Sequence, residues 1–129
     1  MPSITPLSAH IQIQTQVTYR SEDSRPADGV YIFSYRIVIS NKSNETVQLL
    51  SRKWIITDAY GRTQEVQGAG VVGVQPKIPP NTSFEYESFC PLATPYGSMQ
   101  GEYHMVSSGG ELFSVPIPEF HLLCPQAIH

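Results

Sequence analysis

Six consecutive residues, Gly68-Ala69-Gly70-Val71-Val72-Gly73, fit the pattern G-x-G-x-x-G letter for letter. In a dinucleotide-binding fold that spacing lets the backbone approach a pyrophosphate and opens a helix whose N-terminus holds the charge. The chemistry needs a strand before the glycines and a helix after them. Here the chain continues Val74-Gln75-Pro76-Lys77-Ile78-Pro79-Pro80, and prolines with β-branched residues build no helix. The nucleotide-fold reading therefore fails on context. Two readings stay open. In one, Gly68, Gly70 and Gly73 serve backbone geometry where a loop crosses the end of a β-fold. In the other, successive N–H groups form an anion-binding nest, helped by Arg52 or Arg62. The first is favoured, since glycine in β-proteins usually answers to geometry.

The remaining reactive side chains form no familiar constellation. His10, His104, His121 and His129 are not spaced as zinc ligands, and neither Cys90 nor Cys124 belongs to a C-x-x-C pair. Glu102 and His104 stand two apart, so a strand would put carboxylate and imidazole on one face. Such a pair can bind a metal or move a proton, but it is more often an ordinary polar neighbourhood. No catalytic residue, metal site or cofactor is expected. Among the seven tyrosines, Tyr60 and Tyr96 fall in turns, where an aromatic serves as a contact anchor. Trp54, the only tryptophan, alternates with Arg52 and Ile56 and reads as core.

A chain of 129 residues has the usual size of one domain and can bury a sizeable core. Hydrophobic residues make up 40% and charged ones 15%, which argues against disorder. The net charge of −3 argues against nucleic acid and anionic membrane surfaces as partners. No apolar run is long enough for a spanning helix, and the start, Met1 to Leu7, lacks the charge and apolar core of a signal peptide. A cytoplasmic address with reduced cysteines is the expectation. Three Asn-x-Ser/Thr triplets, at Asn41, Asn44 and Asn81, then read as turn chemistry rather than glycosylation sites.

The elements that must position these residues are strands. Period-two alternation runs through Ile11–Tyr19 and through Tyr31–Ile39, where Tyr31, Phe33, Tyr35, Ile37 and Ile39 share one face. Ile32 and Val38 make the other face of the second run partly apolar too, so it reads as a central strand. Asn41-Lys42-Ser43-Asn44 predicts a hairpin turn. The next run, 46–58, slips its alternation near Leu49-Leu50, which predicts a bulge. Short strands follow at 63–67, 83–90, 99–107 and from Leu112. Pro116 and Pro118 confine the last stretch to a sheet edge or an irregular tail, with Phe120, Leu122 and Leu123 packing on the body. Seven to eight strands without a helical segment predict one antiparallel β-sandwich of immunoglobulin or fibronectin-type-III-like kind over residues 1–129.

The central stretch resembles the ApaG family. The likeness is carried by Arg52, Trp54, Gly61 and above all the run Glu65-Val66-Gln67-Gly68-x-Gly70-Val71-Val72-Gly73-x-Gln75-Pro76. It continues through Pro80, Phe84, Tyr86, Ser88, Pro95, Gly97, Met99, Gly101 and Tyr103 to Val115-Pro116-Ile117-Pro118-x-Phe120. Asn81 departs from the glycine usual after the proline, but asparagine tolerates positive φ, so the turn should survive. The resemblance implies a fibronectin-type-III-like sandwich without enzymatic activity. It also implies an association of bacterial members with cobalt resistance and magnesium efflux, and their gene often neighbours one for a diadenosine tetraphosphate hydrolase. Relatives occur inside larger eukaryotic proteins, among them an F-box protein and a DNA-polymerase-delta-interacting protein, as a protein-interaction module.

The expectation is a small module that binds a protein partner through loops or an edge strand. The alternative is a sensor for a phosphate-containing small molecule at Gly68–Gly73. A metal-handling role for Glu102 and His104 is the weakest reading. Long alternating strands also leave edges that two copies can pair as a homodimer.

Overall fold

The structure, a computed structural model, describes residues 6–125. His129 and the first five residues of the stretch read for a leader lie outside them. Eight strands form two antiparallel sheets. They are β1 (Ile11–Tyr19), β2 (Tyr31–Asn41), β3 (Val47–Asp58), β4 (Thr63–Ala69), β5 (Lys77–Ile78), β6 (Ser83–Leu92), β7 (Tyr96–Ser107) and β8 (Leu112–Leu123). One sheet has the order β1-β2-β6 and the other β4-β3-β7-β8, with the two-residue β5 beside β3. No α-helix occurs among the described residues, only three short 3₁₀ turns. The period-two runs thus predicted the architecture.

The strand read as central, β2, is central: β1 and β6 flank it. Its face of Phe33, Tyr35, Ile37 and Ile39 is buried against Leu49, Trp54, Met99, Tyr103 and Met105 of the opposite sheet. Both cysteines are buried in this core. β8 keeps its ladder to β7 despite its prolines because it is an edge strand and can spare N–H groups on its outer side. It buries Phe120 and Leu122 as expected, whereas Leu123 faces outward beside Tyr96.

The stretch at Asn41–Asn44 does not close a hairpin. β2 and β3 belong to different sheets, so the chain crosses between layers there. The crossing is held by Asn41, which is fully buried. Its Nδ2 donates to the carbonyls of Glu45 and Ile78 at 2.7 and 2.8 Å, and its Oδ1 accepts from Ser43 N–H and Oγ. A turn signal reports that the chain reverses, not which sheet it joins next.

The slip near Leu49-Leu50 is a register shift between β3 and β7. Its consequence is a change of phase. Val47 and Leu49 face the core before it, and Arg52, Trp54 and Ile56 face inward after it. One extra residue in β3 therefore turns a cation toward the space between the sheets.

Candidate functional site

On one side of the sandwich β1 packs against β8. On the other side the outer strands are β6 and β4, each paired on one side only among the described residues. Between them opens a cleft of about 390 Å³. Its floor is Tyr35, Trp54, Tyr86, Cys90 and Met99; Arg52, Gln64 and Ser88 add polar groups; Val72, Gly73 and Phe89 complete its mouth.

Arg52 is the only charged side chain in that lining. Its Nη1 donates to the carbonyls of Ala69 and Gly70 at 3.2 and 2.8 Å. Among the described residues no carboxylate forms an ion pair with it. The phenols around it do not neutralise it. Burial raises the Tyr35, Tyr86 and Tyr103 hydroxyls above the usual tyrosine range, and the opposing pull of Arg52 is a minor effect in each. They stay protonated at neutral pH, with the Tyr86 and Tyr103 hydroxyls bonded to each other at 2.5 Å. The cleft consequently carries one uncompensated positive charge.

Trp54 contributes a second open valence. The residue is 2% exposed and its ring packs edge-on against Tyr35, Tyr103 and Phe120. Its Nε1 is the one buried side-chain nitrogen or oxygen among the described residues without a hydrogen-bond partner. Leaving such a donor unmade costs about 1–3 kcal/mol. The sequence identified Trp54 as core, which it is, but gave no sign of its orphaned N–H.

The glycine loop divides into two parts. Gly68 lies in β4 directly opposite Arg52. Gly70, at φ +61°, begins a tight hairpin in which Val71 and Val74 exchange two backbone bonds around Val72 (φ +41°) and Gly73 (φ +83°). Positive φ at both central residues is the type I′ pattern. The N–H groups of Gly70, Val71 and Val74 are spent on Leu50, Val74 and Val71 carbonyls. Toward Arg52 the loop turns the carbonyl oxygens of Ala69 and Gly70, while among the described residues the N–H groups of Val72 and Gly73 at the tip of the turn take no partner.

Of the two arginines proposed for that loop, the structure brings only Arg52 to it. Arg62 precedes β4, roughly 20 Å along the strand from Gly68 at 3.3 Å per residue. It pairs with Asp58 at 3.3 Å and lies 5.0 Å from the Tyr60 ring centre. Tyr60 and Tyr96 are both exposed, but only Tyr60 lies in a turn; Tyr96, read from the sequence as a turn residue, is the first residue of β7 and pairs with Leu123. Thr94 fastens the two places together, its Oγ1 accepting from Ala59 N–H and donating to the Tyr96 carbonyl. Both tyrosines sit at the Arg62 end and do not line the cleft. Glu102 and His104 do meet on the outer face of the second sheet: Nε2 is 3.3 Å from the carboxylate and Nδ1 2.8 Å from Ser51 Oγ. That row lies on an open sheet face outside the cleft, and among the described residues no three metal-ligating side chains gather.

The ApaG domain model matches residues 21–107. A protein named ApaG from Bdellovibrio bacteriovorus is 52% identical over 118 residues, covering 92% of this chain and 93% of its own. The chain belongs to the ApaG family. A structural-genomics X-ray structure superimposes with a TM-score of 0.91 at 47% identity, over 96% of this chain and 94% of the other. A protein described as ApaA from Bordetella pertussis gives 0.87 at 46% identity, over 90% of this chain and 94% of its own. The described part of this ApaG-family chain has no helix long and apolar enough to cross a membrane.

Proposed function

We propose that this chain is a non-enzymatic cytoplasmic binding module that docks a protein partner along the open side of its sandwich. The observation that carries the reading is the cleft between the two free edges of β4 and β6, which combines an unpaired cation with exposed apolar residues. Val72 and Phe89, both in its lining, are each 54% exposed. A strand edge supplies backbone donors and acceptors to an extended segment, and a pocket beside it supplies selectivity. A fibronectin-type-III-like sandwich suits that use because its rigid layers hold edges and loops in place. The family's association with cobalt resistance and magnesium efflux then runs through the partner.

The test is a photo-crosslinking residue placed at position 72 or 89, with position 60 as control, in bacterial cells expressing the protein. Discrete protein adducts from 72 and 89 but not 60 support the reading. Adducts from 60 alone would move the surface to the turn that carries Tyr60. A second reading, a sensor for a phosphate-containing small molecule, is favoured by one fact, the unneutralised Arg52. Titration with pyrophosphate or diadenosine tetraphosphate, followed at the amides of 68–76, separates it from the first.

A further inference from the structure

We propose that the cleft is a receptor for a single carboxylate, an acidic side chain or chain terminus of the partner, held by the Arg52 guanidinium and the Trp54 indole N–H. The inference rests on the cleft being the docking surface and adds the chemistry of its anchor.

Arg52 and Trp54 are two apart on β3 and both line the cleft, so their side chains emerge about 6.6 Å apart on the same face. Nη1 is occupied by two carbonyls, which fixes the guanidinium against the loop and leaves the rest of its planar fork to a ligand. A planar fork matches a carboxylate in two parallel bonds. An acceptor that enters beside Arg52 and presses an oxygen toward Trp54 becomes the first hydrogen-bond partner of that buried N–H.

Charge selects carboxylate over phosphate. The lining supplies one positive charge, which one carboxylate balances. A phosphate monoester carries −1.5 to −2 at neutral pH and needs further donors. Of the loop amides, those of Gly70, Val71 and Val74 are already bonded within the chain, which leaves only the two at Val72 and Gly73 in the exposed tip of the turn. The exposed Val72 and Phe89 at the mouth suit an apolar residue next to the acidic one.

Because Trp54 is the only tryptophan, its indole N–H gives a single NMR resonance that reads the site directly. The probes are sodium acetate, N-acetyl-phenylalanyl-aspartate amide, its asparagine counterpart, inorganic phosphate and pyrophosphate, all at constant ionic strength. The expected result is a saturable shift of the indole resonance with the aspartyl peptide. The asparagine peptide and both phosphates bind at least tenfold more weakly. Arg52→Gln removes the aspartyl preference, Arg52→Lys keeps part of it, and Trp54→Phe, which lacks the indole and is followed at the backbone amides of residues 68–76, weakens it several-fold, with amide dispersion verifying that each variant folds. Equal binding of the asparagine peptide, tighter binding of pyrophosphate, or an unmoved indole resonance would overturn the proposal. Crosslinks from 72 and 89 that survive Arg52→Gln would overturn it while sparing the docking surface. Carboxylate binding without protein crosslinks would sustain the anchor and remove the protein-docking reading.

Discussion

Gly68 and Arg52 face each other across the β3–β4 ladder, and a methyl group on Gly68 would lie 2.9 Å from Nη1 and 3.2 Å from Cζ. The missing side chain is what lets the guanidinium lie flat against β4 and reach the Ala69 and Gly70 carbonyls. Gly68→Ala meets only the far end of a flexible side chain, so the fold adapts by moving it. The expected cost is within about 1 kcal/mol in urea unfolding, because the lost bonds are offset by water and by a stiffer unfolded chain. Trp54 emission should change nonetheless, since the cation beside it has moved. An unchanged emission spectrum would mean that Arg52 keeps its place.

Gly70→Ala should behave differently. A Cβ there would sit 2.1 Å from the Val74 carbonyl oxygen, a backbone atom, at a φ of +61° that disfavours any side chain. Steric conflict and backbone conformation act together, so a loss of about 2–4 kcal/mol is expected. The ordering Gly70→Ala well below Gly68→Ala in urea midpoint is the check. If the two lose equally, the hairpin at 71–74 is more yielding than its bonds imply.

These two glycines show how far the sequence could be read. The alternation in β1, β2 and β6 and the slip at Leu49-Leu50 are local, so strands, their inward faces and the bulge were legible. Arg52 and Arg62 were both named as helpers of an anion-binding loop; the structure sets Arg52 against the loop's carbonyls and leaves Arg62 paired with Asp58 at the far end of β4. The lack of a counter-charge at Arg52 was not legible, because it depends on β6 and β4 bordering the same opening, and a period of two says nothing about strand order. Phe89 did leave a trace: it is a large apolar residue on the wet phase of β6, exposed where the strand alternates. The misread hairpin at Asn41–Asn44 has the same origin, since turn chemistry is silent on which sheet receives the next strand.

Val72 occupies the first central position of a type I′ turn, where a β-branched residue at positive φ is strained. Val72→Asn relieves that strain and should raise stability by about 1 kcal/mol, a few degrees in Tm. It also removes an exposed apolar group from the mouth of the cleft, so retention of the aspartyl peptide should weaken. A variant that gains stability and keeps full binding would show that Val72 contributes nothing at the mouth.

Alkaline pH should loosen the core. Burial pushes the Cys90 thiol up from its ordinary 9.0 to about 11. The folded state therefore holds the proton more tightly than the unfolded chain. That contribution is full below pH 9 and is lost as pH rises through about 11, at a rate of up to roughly 1.4 kcal/mol per pH unit. Tyr35, Tyr86 and Tyr103, raised by burial too, act in the same direction above pH 10. Urea midpoints at pH 8, 9.5 and 10.5 should fall progressively, and Cys90→Ala should flatten the first step. An identical decline in the variant would assign the whole effect to the tyrosines.

Asn41 is the most demanding polar residue of the fold. Its amide makes four hydrogen bonds in a fully buried place, using both donors and two acceptor positions, and they join the ends of β2 and β5 to the crossing segment. Asn41→Ala leaves the Glu45 and Ile78 carbonyls and the Ser43 N–H seeking partners, a loss of about 3 kcal/mol. Asn41→Asp should be worse at neutral pH. It sets a carboxylate oxygen against two carbonyls while burying a charge, and it should recover part of its stability on acidification, when the group takes a proton and can donate once. Urea unfolding of both variants at pH 7 and pH 4.5, each referred to the unmodified protein at the same pH, checks the order. An aspartate variant as stable as the parent at pH 7 would mean that the crossing segment rearranges and that Asn41 does not hold the two layers together.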